Sequence, residues 1–357
     1  MSNLKIPKCD IEMSNLKIYI QAAQQISIQQ PLSESWMMEP VFYDEPLVKA
    51  INPSFRDFMA ANEARRMGNV MKRALVTALQ VLRDSRVEHP DAMMTGTGLG
   101  CLDSTEKFLN AMVENGEQTL SPTHFMQSTH NTIGSALAIY TNTHGYNTTY
   151  SHSSMSFDLA LLDAWMQMKI GKIESALVGG HDEMVDSYFE LLKKIGYVGA
   201  EGMVPCGEVA VSMMLNRRMS SGQLCELAGI TLYNTSSLDE LKSNVEDMLK
   251  EAGMTVGDIS AVMTGVNGNP WHDHYYQAVT NELFADVPLL HYKHLFGENF
   301  TASAFGVYAA AHCLKKGSVP SCLYDAGTPR TCDTLRTILI LNQMNGSENS
   351  LVLLRKV

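Results

Sequence analysis

Segments with a strand's alternation and segments with a helix's 3.6-residue period follow one another along this chain in two successive courses. That order limits the fold more than any other feature. In the first course, residues 16 to 28 alternate as a strand, and residues 31 to 60 carry Pro, Trp and Tyr without a clear period. Met67, Val70, Met71, Ala74, Leu75, Ala78, Leu79 and Leu82 then recur at helical spacing, with Arg65, Arg66, Lys72 and Arg73 off the stripe, which predicts an amphipathic surface helix. A strand at 92 to 98, helices near 103 to 114 and 131 to 143, a strand ending at Ser151, a buried helix over 155 to 170 and strands at 175 to 180 and 208 to 215 complete the course. The second course has strands at 225 to 233, 259 to 264, around 288, 334 to 341 and 350 to 356. Its helices are at 237 to 252, 273 to 284 and 301 to 315. Two α/β halves of similar element order, 13–220 and 221–357, with no glycine- or serine-rich linker between them, predict one pseudo-duplicated layered domain.

A chain of 357 residues that is 45% hydrophobic can bury whole helices inside a large core. No apolar run approaches bilayer length and the N-terminus lacks a secretory pattern, so a cytoplasmic chain is expected. Its seven cysteines form no C-x-x-C pair, which predicts reduced, mostly buried thiols and neither disulfides nor structural zinc. A net charge of −11 without a basic stripe argues against nucleic acid or an anionic membrane as partner. The hexapeptide MSNLKI stands at 1 to 6 and again at 13 to 18, and the expected fold begins at the second copy.

The stretch "NTTYSHSSMSFDLALLDAW", residues 147 to 165, runs from a β-branched segment through serines into the buried helix. A helix N-terminus gathers unpaired N–H groups and partial positive charge, so Ser153, Ser154 or Ser156 is placed either to cap or to act as a nucleophile. Other motifs favour structural readings. "GTGLG" at 96 to 100 follows a strand, but a dinucleotide fingerprint wants glycine where Cys101 sits. "WHDH" at 271 to 274 opens a helix, with Asp273 as its cap and solvated imidazoles, and no metal site is expected. "GGHDE" at 179 to 183 permits a tight backbone passage. The 23 methionines are best explained as core filling, although Met-lined surfaces also suit long apolar ligands.

The succession "GTGLGCLDSTEKF", "FMQSTHNTIGSALAI", "GYNTTYSHSSMSFDLAL", "KIGKIESALVGGHDE", "NPWHD", "YKHLFGENFTASAFG" and "NQMNGSENSLVLLRK" resembles the β-ketoacyl synthase family of the thiolase fold. The resemblance covers nearly the whole chain and is strongest between residues 91 and 183; the family's segment at about 184 to 207 looks shortened. It implies an α/β/α/β/α layered fold of two pseudo-duplicated halves, with no cofactor and no metal. Counting from Gly171 and "VGG", and from Asn131 and Gly145, Ser154 falls where the family has its nucleophilic cysteine. Pro270 and Asp273 place the first catalytic histidine's position on Gly265. The Lys-x-x-x-Gly motif from Lys293 to Gly297 places the second on Glu298. Of the family's chemical groups only the lysine, Lys293, remains. Glu298 near Lys293 is read as an ion pair replacing a catalytic dyad, and Ser154 in its plainest role as the helix N-cap.

Condensation in this family uses a thiolate to take the acyl chain and two imidazoles for malonyl decarboxylation and the oxyanion. A lost oxyanion donor is typically worth about 2.7–4 kcal/mol. A carboxylate at Glu298 would repel the malonyl group by about 1–4 kcal/mol at ~4 Å. The resemblance therefore implies a catalytically silent paralogue of the chain-length-factor type. Such a subunit forms a heterodimer with an active ketosynthase in type II fatty acid or polyketide biosynthesis, the aryl polyene type included. That branch usually carries glutamine at the position of Ser154. The acyl carrier protein, being acidic, would dock mainly on the partner. By resemblance Thr105 and Phe108 line the acyl pocket, Phe125 heads a segment that reaches it near the subunit boundary, and the strand before Ser154 pairs across the dimer twofold. Two alternatives stand beside this reading: a serine acyltransferase or hydrolase with Ser154 activated by His152, His130 or His181, and a homodimeric acyl-binding protein.

Overall fold

The structure is a computed structural model that describes residues 16–116, 120–235, 237–324, 332 and 334–357. Cys9 and the first MSNLKI copy lie outside them. The first half runs β1 (Tyr19–Ile26), α1 (Ala61–Ala64), α2 (Asn69–Ser85), β2 (Ala92–Gly96), α3 (Leu102–Asn115), α4 (Pro122–Gln127), α5 (Thr132–Thr141), β3 (Tyr146–Tyr150), α6 (Ser156–Lys169), β4 (Ser175–Asp182), α7 (Asp186–Lys194) and β5 (Val209–Asn216). The second runs β6 (Cys225–Asn234), α8 (Leu238–Glu251), β7 (Ala261–Thr264), α9 (Pro270–Leu283), β8 (Leu289–His291), α10 (Lys293–Phe296), α11 (Ser303–Lys316), β9 (Thr337–Met344) and β10 (Glu348–Arg355).

The strands form one sheet in the order β3-β2-β4-β5-β1-β6-β10-β9-β7-β8. Counted outward from the seam, β1-β5-β4-β2-β3 on one side is repeated strand for strand by β6-β10-β9-β7-β8 on the other. The outer pairings β2–β3, β2–β4, β7–β8 and β7–β9 are parallel, whereas β5, β1, β6 and β10 pair antiparallel. β1 and β6 meet only at Tyr19–Glu226 and Ile20–Cys225, where the two halves join. This is the duplicated arrangement of a thiolase-like fold.

Helices α6 and α11 lie in the largest hydrophobic core, α6 contributing Phe157, Leu161 and Met168 and α11 contributing Phe305, Val307 and the run Ala309–Ala310–Ala311. Small residues let packed helices approach closely, and α11 is buried from Ser303 to Leu314. Truncating a buried leucine such as Leu161 to alanine costs about 2–5 kcal/mol in cores of this kind. The outer face of the first half is covered by α2 and α5, and that of the second by α8 and α9.

The helix α2 buries the expected stripe, but Arg73, expected on its solvent side, is buried too. It pairs with Glu208 at 2.8 Å and donates to Asn52 Oδ1 at 2.7 Å. A single-sequence stripe cannot foresee an ion pair with a residue just ahead of β5, more than a hundred residues away. Helix α9 begins at Pro270, earlier than expected, and its cap is Asn269, whose side chain accepts from Trp271 N. Asp273, expected as the cap, instead accepts from Asn267 N at 3.0 Å and Gly268 N at 2.8 Å, fixing the loop ahead of the helix. Helix α7 occupies part of the segment from 184 to 207, where no element was expected.

Candidate active site

Strand β3 hands the chain to α6 through a tight elbow. Ser153 adopts φ +43, left-handed backbone that costs a non-glycine residue about 1–2 kcal/mol. Ser156 holds the turn: its hydroxyl accepts from His152 N at 2.8 Å and donates to Ser153 O at 2.7 Å. Ser154 is not the side-chain cap expected of it; no cap hydrogen bond is made by it at the start of α6. Its carbonyl accepts from Asn342 Nδ2 at 3.0 Å, and Asn342 also donates to buried Asp158, which gathers Ser303 and Ser350 as further donors.

The two glycine-rich motifs brace this elbow. Asp182 of "GGHDE" accepts from Gly98 N, Leu99 N, Thr97 Oγ1 and Thr301 Oγ1 at 3.0, 2.9, 2.7 and 2.8 Å. It thereby ties the "GTGLG" loop to the segment leading into α11. Gly98 is required there, because a Cβ would lie 2.5 Å from Phe300 Cβ.

Beyond the elbow, the Ser154 side chain lies beside the hydroxyl of Tyr197. The Tyr197 ring stacks on Phe300 at 5.9 Å and meets His272 edge-on at 5.1 Å. Burial, and next the Glu298 carboxylate, push the Tyr197 and Tyr276 phenols up, so both stay protonated. Burial also pushes the half-buried His272 imidazole down.

Gly265 follows directly on the end of β7. A Cβ there would lie 2.6 Å from Tyr276 Oη and 3.1 Å from both Lys293 Cε and Tyr292 Oη, so the space a side chain would need is already filled. Glu298 is buried, and its Oε2 accepts from Lys293 Nζ at 2.7 Å and Asn267 Nδ2 at 2.6 Å. The ammonium offsets much of the carboxylate charge. Gly265, Lys293 and Glu298 thus meet in one buried polar cluster.

The three histidines considered as bases lie elsewhere. His152 Nε2 is 3.0 Å from Glu348 Oε2 on the surface. His181 is fully buried, burial pushes it down to about 3, and among the described residues neither ring nitrogen has a partner. His130 packs beside Gly100. Thr105 Oγ1 donates to Cys101 O at 3.1 Å and to Ser128 O at 3.4 Å, and the Phe108 and Phe125 rings lie 5.3 Å apart, so these three residues tie α3 to the α4 region. Phe125 is 58% exposed in the single chain.

Tyr197, Asn267, Tyr276 and Tyr292 were not foreseen from the sequence. Asn267, in "GVNGNP", and Tyr292, which opens "YKHLFGENFTASAFG", stand beside motifs that could have signalled them. Among the described residues no cluster of His, Cys, Asp or Glu could hold a metal ion, and no helix is long and apolar enough to cross a membrane.

A model of the β-ketoacyl synthase N-terminal domain matches residues 35–256. No curated protein matches the sequence. Among solved structures, the ishigamide ketosynthase/chain length factor superposes with a TM-score of 0.80 at 16% identity, covering 96% of this chain and 99% of that one. A ketosynthase in complex with its chain length factor from Xenorhabdus doucetiae gives 0.76 at 15%, covering 96% and 98%. A β-ketoacyl synthase from Burkholderia phymatum gives 0.78 at 14%, covering 96% and 99%. At such identities the superpositions speak for the thiolase-like fold alone. The domain match spans more than half of the sequence, and by it the chain belongs to the β-ketoacyl synthase family.

Proposed function

We propose that this chain is a non-condensing subunit of the chain-length-factor type, pairing in the cytoplasm with an active ketosynthase that elongates a carrier-bound acyl chain. The observation that carries the reading is Gly265: the first histidine position lacks an imidazole and also has no room for one, because Tyr276, Tyr292 and Lys293 fill it. At the second histidine position, Glu298 has its Oε2 engaged by Lys293 and Asn267 and offers no imidazole donor to an oxyanion. The Lys293 charge softens the repulsion expected between Glu298 and a malonyl group. The missing donors are therefore the larger obstacle.

Pairing is supported by the surface of the first half. Among the described residues β3 is an edge strand, bonded to β2 alone, and open edges are usually covered. On the neighbouring helices Leu109, Val113, Phe125, Met126 and Ile139 are exposed, an apolar face that suits a partner subunit. The names of two similar structures couple a ketosynthase with a chain length factor, which favours a heterodimer over a homodimer. The charge of −11 leaves docking of the acidic carrier mainly to the partner. Thr105, Phe108 and Phe125 would shape the acyl tunnel from the subunit boundary, and 13–220 and 221–357 would be the two halves. A serine hydrolase needs an imidazole on the Ser154 hydroxyl; that side chain lies beside Tyr197 instead.

Co-expression with a complete ketosynthase tests the proposal. The expected result is a copurifying heterodimer that releases carrier-bound products only when the partner's nucleophile is intact. Condensation by this chain alone would overturn it.

A further inference from the structure

We propose that Tyr197 is a built-in plug that seals the space beside the Ser154 hydroxyl, so that no acyl group or electrophile reaches this elbow from the side of the segment between α7 and β5. The inference rests on the reading of Ser154 as the nucleophile position, and not on the proposed pairing.

Three independent restraints hold the ring in place. The hydroxyl end lies beside Ser154, and Phe300, on which the ring stacks, packs with Ser153 O against Gly98. The ring is clamped between Phe300, stacked at 5.9 Å, and His272, edge-on at 5.1 Å. The backbone on either side is tied to the loop before α9: Asn269 Nδ2 donates to Gly196 O at 3.2 Å, and Val204 N donates to Asn267 O at 2.9 Å. Close packing extends this clamp, since a Cβ at Gly268 would lie 2.2 Å from Gly202 O. Behind the ring, Phe189, Leu192, Val198 and Cys206 form a small core of their own, against which Tyr197 and Phe300 pack. An aromatic ring stacked on Phe300, met edge-on by His272 and packed against a small core is a fixed wall, with little freedom to swing aside.

The test replaces Ser154 with cysteine in the full chain and follows alkylation of the introduced thiol by iodoacetamide, read by mass spectrometry of the peptide that carries it. Cys206, buried within the same small core, is the internal control for opening of the segment. The comparison is Ser154→Cys alone against the same change combined with Tyr197→Phe or Tyr197→Gly. The plug predicts slow alkylation with Tyr197 or Phe present. With Gly, alkylation at 154 should be at least about tenfold faster, ~1.4 kcal/mol of protection lost, while Cys206 stays protected. Equal rates at 154 in all three would overturn the proposal. Should the Gly variant also release Cys206, the segment has opened as a unit. Tyr197→Leu, which keeps apolar volume over the small core, then takes its place with the same two readings. A failed copurification with a ketosynthase would leave this result untouched, and fast alkylation beside Tyr197 would leave the pairing untouched.

Discussion

Lys293 Nζ donates to Glu298 Oε2 across 2.7 Å, with both side chains at least nine-tenths buried. Breaking such a pair from one side leaves an uncompensated buried charge, which typically costs about 3–5 kcal/mol. Lys293→Met should therefore lower the urea midpoint sharply. Adding Glu298→Gln should recover much of the loss, because the neutral amide no longer requires a cation. A double variant no more stable than Lys293→Met would show that Lys293 acts mainly through its packing.

The purified chain should not condense acyl and malonyl carriers, and Ser154→Cys alone should not change that. Gly265→His, offered as a repair, should cost more than the roughly 1–3 kcal/mol of ordinary overpacking, since the added Cβ alone would stand 2.6 Å from Tyr276 Oη. Product formation above a buffer blank by the unmodified chain, measured by mass spectrometry of the carrier, would sink this expectation.

Val113→Asp and Ile139→Asp should weaken association while changing the stability of the lone chain by no more than about 0.5 kcal/mol, because both side chains are exposed. Size-exclusion chromatography with light scattering reads the first effect and chemical denaturation the second. Lys at Thr149, on the edge strand itself, is a poorer probe: a Cβ at Gly134 would lie 3.1 Å from Thr149 Oγ1, so this side chain faces α5.

Glu183 is buried and accepts from Asp103 N at 2.9 Å. Burial, and to a smaller degree the Asp103 and Glu208 charges, raise its carboxyl from 4.5 to about 7. Between those values the unfolded chain has released a proton that the folded chain keeps, so this group lowers stability as pH rises through the window. His181 acts oppositely. Burial takes it from 6.5 down to about 3, so the stability of keeping it neutral is lost as pH falls below 6.5. Glu183→Gln should gain on the unmodified chain steadily from about pH 5 to about pH 7, then hold a constant lead. Urea midpoints that keep the same difference at both ends would refute the assignment.

Phe125→Ala should fold, because a ring 58% exposed has little buried area to lose and its pairing with Phe108 adds only about 0.5–1.5 kcal/mol beyond that area. In complex with its ketosynthase it should release longer products, and Thr105→Trp shorter ones. Identical length distributions would remove these residues from the tunnel.

The longer strands and helices, though not the short α4, α7 and α10, were legible because hydrophobic period is a local property: the stripe of α2, the alternation of β1 and the apolar run of α6 each lie within one window of sequence. The spacing from Pro270 back to Gly265, and from Lys293 forward to Glu298, was legible for a similar reason, since it is a count along the chain. Burial of Arg73 against Glu208, the meeting of Tyr197 with Ser154 and the filling of the Gly265 space by Tyr276 and Tyr292 were not. Each joins residues from different elements, some of them far apart in sequence. The energy of such contacts depends on how the layers close, and close packing lets a side chain take whatever space and partner the assembled fold leaves it.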